Sequence, residues 1–159
     1  MENVPNVYDA EPIPDEAMIA VRKLLTSGDL FRYTSENSPV ALLEAEFAKM
    51  IGSKFALAVS SCSAALFLSL KALGLPRDAK VLIPAFTFGA VPSAVVHADC
   101  VPVLCECGEN YRIDLDDFAA KLPTVQAVII SHMRGHTSDM GAILDRKSTR
   151  LNSSHQIIS

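Results

Sequence analysis

The 159-residue chain is predicted to be an α/β protein organised on a mainly parallel sheet, and three features carry that expectation. From Pro39 to about Leu144, helix-like and strand-like patterns alternate with short turns between them, as strand–helix–strand units do. The clearest strand-like run, Val125 to Ser131, is rich in β-branched residues and suited to burial on both faces. Half of the residues are apolar, so a single buried core is within reach of a chain this long.

The elements follow in order. Pro5, Pro12 and Pro14 punctuate an extended arm, then Asp15 to Leu25 forms a helix closed at Gly28, so residues 1–38 read as an N-terminal arm and helix. Ala41, Leu42, Ala45, Phe47 and Ala48, set among Glu44, Glu46 and Lys49, give the next helix an apolar face, and Gly52 stops it. Phe55 to Val59 is predicted as a short buried strand. After Ser60 to Ser63, the helix formers Ala64, Ala65, Leu66, Leu68, Leu70, Ala72 and Leu73 continue to Gly74, with Pro76 beyond. Val81 to Ile83 is the next strand. Gly89 to His97 is a third helix of this region, with Pro92 in its first turn, where a missing N–H costs little. Val101 to Glu106 is a strand that carries Pro102, a residue better suited to a sheet edge. Asp114 caps a helix running to about Lys121, with Asp116 and Asp117 in the turn where negative charge suits the helix dipole. Val125 to Ser131 closes the series, and residues 39–144 are read as one domain.

The composition changes abruptly after Leu144. Asp145 to Ser159 contains only Leu151, Ile157 and Ile158 as apolar residues and shows neither helical nor strand period, which predicts a polar tail without regular structure. Asp145 to His155 resembles the conceptual translation of a common sequencing-library adapter, with Gln156 and Ile157 at the position of a sample index. Residues 145–159 are therefore read as a non-native tail and left out of the fold reasoning.

Net charge is −4 and the charges are mixed along the chain, which argues against nucleic acid as a partner. No apolar run approaches the roughly 20 residues of a membrane-spanning helix. The first residues lack the basic and apolar regions of a secretory signal, so no membrane association and a cytoplasmic location are expected. In that setting Cys62, Cys100, Cys105 and Cys107 are expected as reduced thiols.

Three strand ends carry residues suited to chemistry. Ser60-Ser61-Cys62-Ser63-Ala64-Ala65-Leu66 leads from a strand into a helix, where free N–H groups, the helix dipole and hydroxyls can bind an anion; plain capping by Ser61 or Ser63 is the simpler account. Pro84-Ala85-Phe86-Thr87-Phe88-Gly89-Ala90 follows the next strand at the carboxyl end, where open α/β sheets bind ligands, and an aromatic there can stack on a planar group; Phe86 and Phe88 also suit a core. Ser131-His132-Met133-Arg134-Gly135-His136-Thr137 follows a third. No metal site is expected: Gly135 breaks the spacing between the histidines, and His97, Cys100, Cys105 and Cys107 are irregularly spaced. P-loop, zincin, G-x-S-x-G and Rossmann fingerprints are absent.

In order, EAEFAKMIGSKFALAVSSCSAALFLSLKALGL, KVLIPAFTFGAVPSAVVHADCVPVLCECGENYRIDLDDF and AVIISHMRGHTSDM closely resemble the DegT/DnrJ/StrS family of aminotransferases, from about Gly28 to Leu144. The resemblance implies an incomplete fold-type I aminotransferase large domain, three-layer with a mainly parallel sheet, and pyridoxal 5'-phosphate as cofactor. It implies a homodimer when intact, with a nucleotide-linked sugar bearing a keto group and an amino donor as small-molecule substrates. By position, Ser63 and Ala64 would bind the cofactor phosphate and Phe88 would stack on the pyridine ring. Cys62 stands where the family usually has Gly, adding a side chain near the phosphate. His132 and Arg134 fall in the strand-end segment beside the active site, without an assigned step. The family's Schiff-base lysine and pyridine-pairing aspartate fall beyond Leu144, so no catalytic residue is assigned and the chain alone is expected to be inactive. Two further readings stay open: a non-catalytic regulatory or sensing protein on the same fold, and a small nucleotide-binding α/β module.

Overall fold

The computed structural model describes residues 10, 12–31, 35–150 and 156–158, so Pro5 and most of the expected arm lie outside the described residues. The chain divides into two compact units, Met1–Ala58 and Val59–Ser159. The sequence placed its boundary at residue 38. The structure groups the next helix with the first unit instead, and a hydrogen bond from the Ala58 N–H to the Glu44 carboxylate, 2.7 Å long, ties that helix to the segment that follows it.

The first unit holds α1 (Asp15–Ser27) and α2 (Pro39–Ile51). Asp15 and Glu16 lie in the first turn of α1, and Gly28 ends it at φ 72°, a left-handed conformation that favours glycine. Pro39 opens α2 and the Ser38 hydroxyl accepts from the Ala41 N–H, a cap the sequence reading did not identify. Among the described residues of this unit only Ser38 and Ala48 are buried. The expected strand at Phe55 to Val59 does not form. No described strand pairs with it, and Phe55 and Leu57 are 77% and 62% exposed. A short apolar run shows only that a segment suits a buried sheet; a strand also needs a neighbour.

The second unit is built on four parallel strands, β1 (Lys80–Pro84), β2 (Val101–Cys105), β3 (Ala127–Ile129) and β4 (Gln156–Ile158), in the order β2-β1-β3-β4. Helices α3 (Cys62–Ala72), α4 (Ala90–His97), α5 (Leu115–Lys121) and α6 (Met140–Arg150) cover it. Strand side chains alternate between faces. Val81, Ile83, Ala127 and Ile129 pack with Leu70 of α3 and Val91, Ala94 and Val95 of α4. Leu82, Val128 and Ile130 pack on the other side with Phe118, Leu122 and Ile143. The result is the expected three-layer α/β architecture.

Several local expectations hold for identifiable reasons. Pro102 lies in β2, an edge strand of the described sheet, where a missing N–H is tolerated. Asp114 caps α5 by accepting from the N–H groups of both Asp116 and Asp117, each at 2.9 Å. The fourth predicted strand is shorter than its apolar run: Val125 and Ile130 are buried although only Ala127–Ile129 joins the ladder.

The tail departs from expectation. Helix α6 runs through the predicted limit at Leu144 as far as Arg150, and Gln156–Ile158 pairs with β3. The Asp139 carboxylate accepts from the Ala142 N–H at 3.0 Å and starts this helix. Extending a nucleated helix is far easier than starting one, so residues 145–150 need no apolar period of their own.

Candidate functional site

At the carboxyl end of the sheet the N-terminus of α3, the loop after β1 and the loop after β3 surround a cavity of about 480 Å³. Its lining includes Cys62 and Ser69 from α3, Thr87 and Phe88 after β1, and Ser131 and His132 after β3. Ile129, Ile130 and Val91 form a buried apolar floor. Both the size and the mixture of apolar wall with a few polar groups suit a small molecule, whose sites run from about 300 to 1,000 Å³.

Each wall is held by local chemistry. The Ser61 hydroxyl accepts from the Ala64 N–H at 3.1 Å and its carbonyl accepts from the Ala65 N–H at 3.0 Å, so Ser61 is the cap of α3. No hydrogen bond among the described residues takes up the N–H groups of Cys62 and Ser63, which remain available at the positive end of the helix. The Phe88 carbonyl accepts from the Val91 N–H at 2.9 Å, which fixes its backbone at the start of α4, while the residue as a whole is 66% exposed. Thr87 Oγ1 donates to Ser131 Oγ at 2.7 Å and joins the two loops.

After Ser131 the chain turns through Met133–Gly135, with Gly135 at φ 77°, and the Ser138 N–H donates back to His132 Nδ1 at 3.4 Å. For Arg134 the structure describes this backbone turn and not the side chain. Phe86 does not enter the cavity wall; it meets Tyr111, ring centroids 4.6 Å apart, and Tyr111 sits at φ 60°.

Cys62, Phe88 and His132 thus line one cavity. Ser63 is not: it opens onto a second groove of about 380 Å³ with Phe67, Ala90, Ser93 and His97. The reason is helical geometry, because successive residues on α3 point about 100° apart and Cys62 takes the inward direction. Ala64 offers no free N–H, since Ser61 takes it. Thr87 and Ser131 lie inside the candidate segments, but the sequence assigns neither a role. Their pairing joins residues 44 apart, and no local pattern could reveal it.

Ionisable groups outside the cavity show the resolved shifts. Burial above all, then the neighbouring Asp117 charge, pushes the Cys105 thiol up to about 12. Burial also raises Cys100. The Lys121 ammonium, 2.7 Å away, and the Glu106 N–H hold the Asp117 carboxyl below the usual carboxylate range. Among the described residues, no three His, Cys, Asp or Glu side chains gather as a metal site would require, and no helix is long and apolar enough to cross a membrane. All four cysteines are free thiols.

The geometry can be set beside proteins already known. The chain is 36% identical over 140 residues to the spore coat polysaccharide biosynthesis protein SpsC of Bacillus subtilis, an alignment covering 86% of this chain and 35% of that protein. To the GDP-perosamine synthase of Vibrio cholerae it is 30% identical over 114 residues, covering 70% of this chain and 31% of the other. The crystal structure of the aminotransferase from Psychrobacter cryohalolentis superposes with a TM-score of 0.79 at 26% identity, over 87% of this chain and 35% of that one. The chain spans about a third of the length of these relatives. Residues 12–150 match the model of the DegT/DnrJ/EryC1/StrS aminotransferase family, and with so much of the sequence matched the chain belongs to that family.

Proposed function

We propose that the chain supplies the N-terminal part of a pyridoxal-phosphate-dependent aminotransferase that acts, when intact and as a homodimer, on a keto group of a nucleotide-linked sugar. Family membership and the similarity to a GDP-perosamine synthase support the substrate class. The observation that carries the site is the single cavity shared by Cys62 at the start of α3, Phe88 after β1 and His132 after β3.

The residues present fit the cofactor. Phe88 offers an exposed aromatic face to a flat ring, and the free N–H groups of Cys62 and Ser63 at the α3 N-terminus suit a phosphate. The Cys62 side chain occupies the wall where the phosphate end would lie, so it limits how closely that end approaches. Ile129, Ile130 and Val91 exclude water from beneath the ring. Bound pyridoxal phosphate supplies an electron sink for a carbon that gains or loses an amino group. Among the residues lining the cavity there is no lysine, and the chain by itself is expected to bind without turning over.

The test uses the exposed Cys62 thiol as reporter, with 4'-deoxypyridoxine 5'-phosphate as a probe that cannot form imines with surface lysines. Mass-mapped alkylation should slow at Cys62 several-fold as the probe saturates, and remain unchanged at Cys107. Equal rates at Cys62 with and without the probe would remove the site.

A further inference from the structure

We propose that His132 presents a fixed Nε2–H donor to an acceptor oxygen of the anionic, planar ligand held in the cavity, an inference that rests on the cofactor reading above. A neutral imidazole has one donor and one acceptor nitrogen, and the partner of one decides the role of the other. At His132 that partner is a backbone N–H, which can only donate: the Ser138 N–H meets Nδ1 at 3.4 Å. Nδ1 therefore accepts, and the ring proton resides on Nε2.

The ring is held from both sides in sequence. Ser138 is buried, and the Gly135 N–H donates to the His132 carbonyl at 3.2 Å, closing the turn around it. Ser131, the preceding residue, is anchored by Thr87 at 2.7 Å. His132 itself is half-buried and lines the same cavity as Phe88 and Cys62. The lining is mostly apolar, with Val91, Phe88, Ile129 and Ile130 among it, so the imidazole N–H joins Ser69, Thr87 and Ser131 as one of a few directional polar groups on the wall. A few placed polar groups on an apolar wall orient a ligand and make it distinguishable from its analogues.

The two amide substitutions separate this role from a structural one. In His132→Gln the side-chain amide N–H reaches the position of Nε2, and the acceptor toward Ser138 is lost. In His132→Asn the amide oxygen can still accept from Ser138, and the donor no longer reaches the ligand. Binding of 4'-deoxypyridoxine 5'-phosphate to the 159-residue chain should weaken about tenfold for His132→Asn and no more than about threefold for His132→Gln, as loss of one hydrogen bond to an anionic ligand implies. A purely structural histidine gives the opposite order, with Asn tolerated and Gln impaired. Nitrogen-15 spectra of the histidine-labelled chain, which need no variant to fold, should show the proton on Nε2. A proton on Nδ1 overturns the inference, as does equal or reversed binding by the two variants. Absence of saturable binding to the unsubstituted chain overturns the cofactor reading and this inference with it, whereas equal binding by both variants overturns the inference alone.

Discussion

The Thr87 hydroxyl donates to the Ser131 hydroxyl across 2.7 Å, and this one bond fastens the loop after β1 to the loop after β3. Both residues line the cavity, and each immediately precedes a candidate ligand-facing residue, Phe88 and His132. The bond therefore sets the gap between an aromatic face and an imidazole. Thr87→Val keeps the shape of the side chain and leaves the part-buried Ser131 hydroxyl without this partner. An unsatisfied hydroxyl costs about 1–3 kcal/mol, reduced here by partial solvent access. A fall in the urea midpoint with unchanged slope is expected, together with weaker binding of 4'-deoxypyridoxine 5'-phosphate. Thr87→Ser should restore both. If Thr87→Val binds the probe as the parent does, the bond does not shape the cavity.

How much of this was readable beforehand depended on the range of the interaction. Asp114, Gly28, Gly52 and Pro92 act within a turn or two of their own position, so their roles were visible in the sequence. The parallel sheet was readable because Val81 to Ile83 and Val125 to Ser131 are apolar runs too short to be helices. Phe55 to Val59 is likewise a short apolar run but forms no strand, since pairing depends on a partner that the segment itself does not encode. Arg146 shows the converse: it pairs with Asp116 at 3.5 Å from within a tail whose composition predicts no regular structure. At the site, strand ends locate Phe88 and His132 and a helix start locates Cys62, while the turn of one residue along α3 decides that Ser63 faces elsewhere.

The α5 cap offers a clean stability test. Asp114 satisfies two N–H groups of α5, at Asp116 and Asp117, and is itself exposed. Asp114→Ala should lower unfolding free energy by about 1 kcal/mol, and Asp114→Ser or Asn by less. The urea midpoint measures it. An unchanged midpoint for the alanine variant would show that α5 is held by Phe118 and Leu122 alone.

Two groups near the end of β2 give opposite pH limbs. Asp117 has a lowered pKa in the folded chain, from the Lys121 hydrogen bond first and the Glu106 N–H next. Its contribution is complete above the unfolded carboxylate value of about 3.9 and is lost as pH falls through the lowered folded value. Cys105 has a raised pKa, about 12, chiefly from burial. Unfolded thiols ionise near about 8.5, so above that pH the unfolded state binds fewer protons and stability declines as pH rises toward the folded value. Stability against urea should therefore fall less steeply below about pH 4 in Asp117→Asn, and less steeply above about pH 8.5 in Cys105→Ala, than in the parent chain. Parallel curves for parent and variant on either limb would contradict the assignment of that limb to that residue.

The first unit exposes many large apolar side chains. Ile19, Met50 and Phe55 are 70%, 73% and 77% exposed, and α1 buries no residue at all. Exposed apolar side chains of this size favour association, because water is displaced from both surfaces when they meet. The 159-residue chain should self-associate with rising concentration and bind a hydrophobic dye. Replacing Met50 with Glu and Ile19 with Lys puts charge on exposed helix positions without touching a buried group, so the fold should persist while association weakens. Sedimentation velocity over a hundredfold concentration range reads the first effect and circular dichroism the second. A parent chain that sediments as a single monomer throughout that range would mean that these side chains are covered in solution.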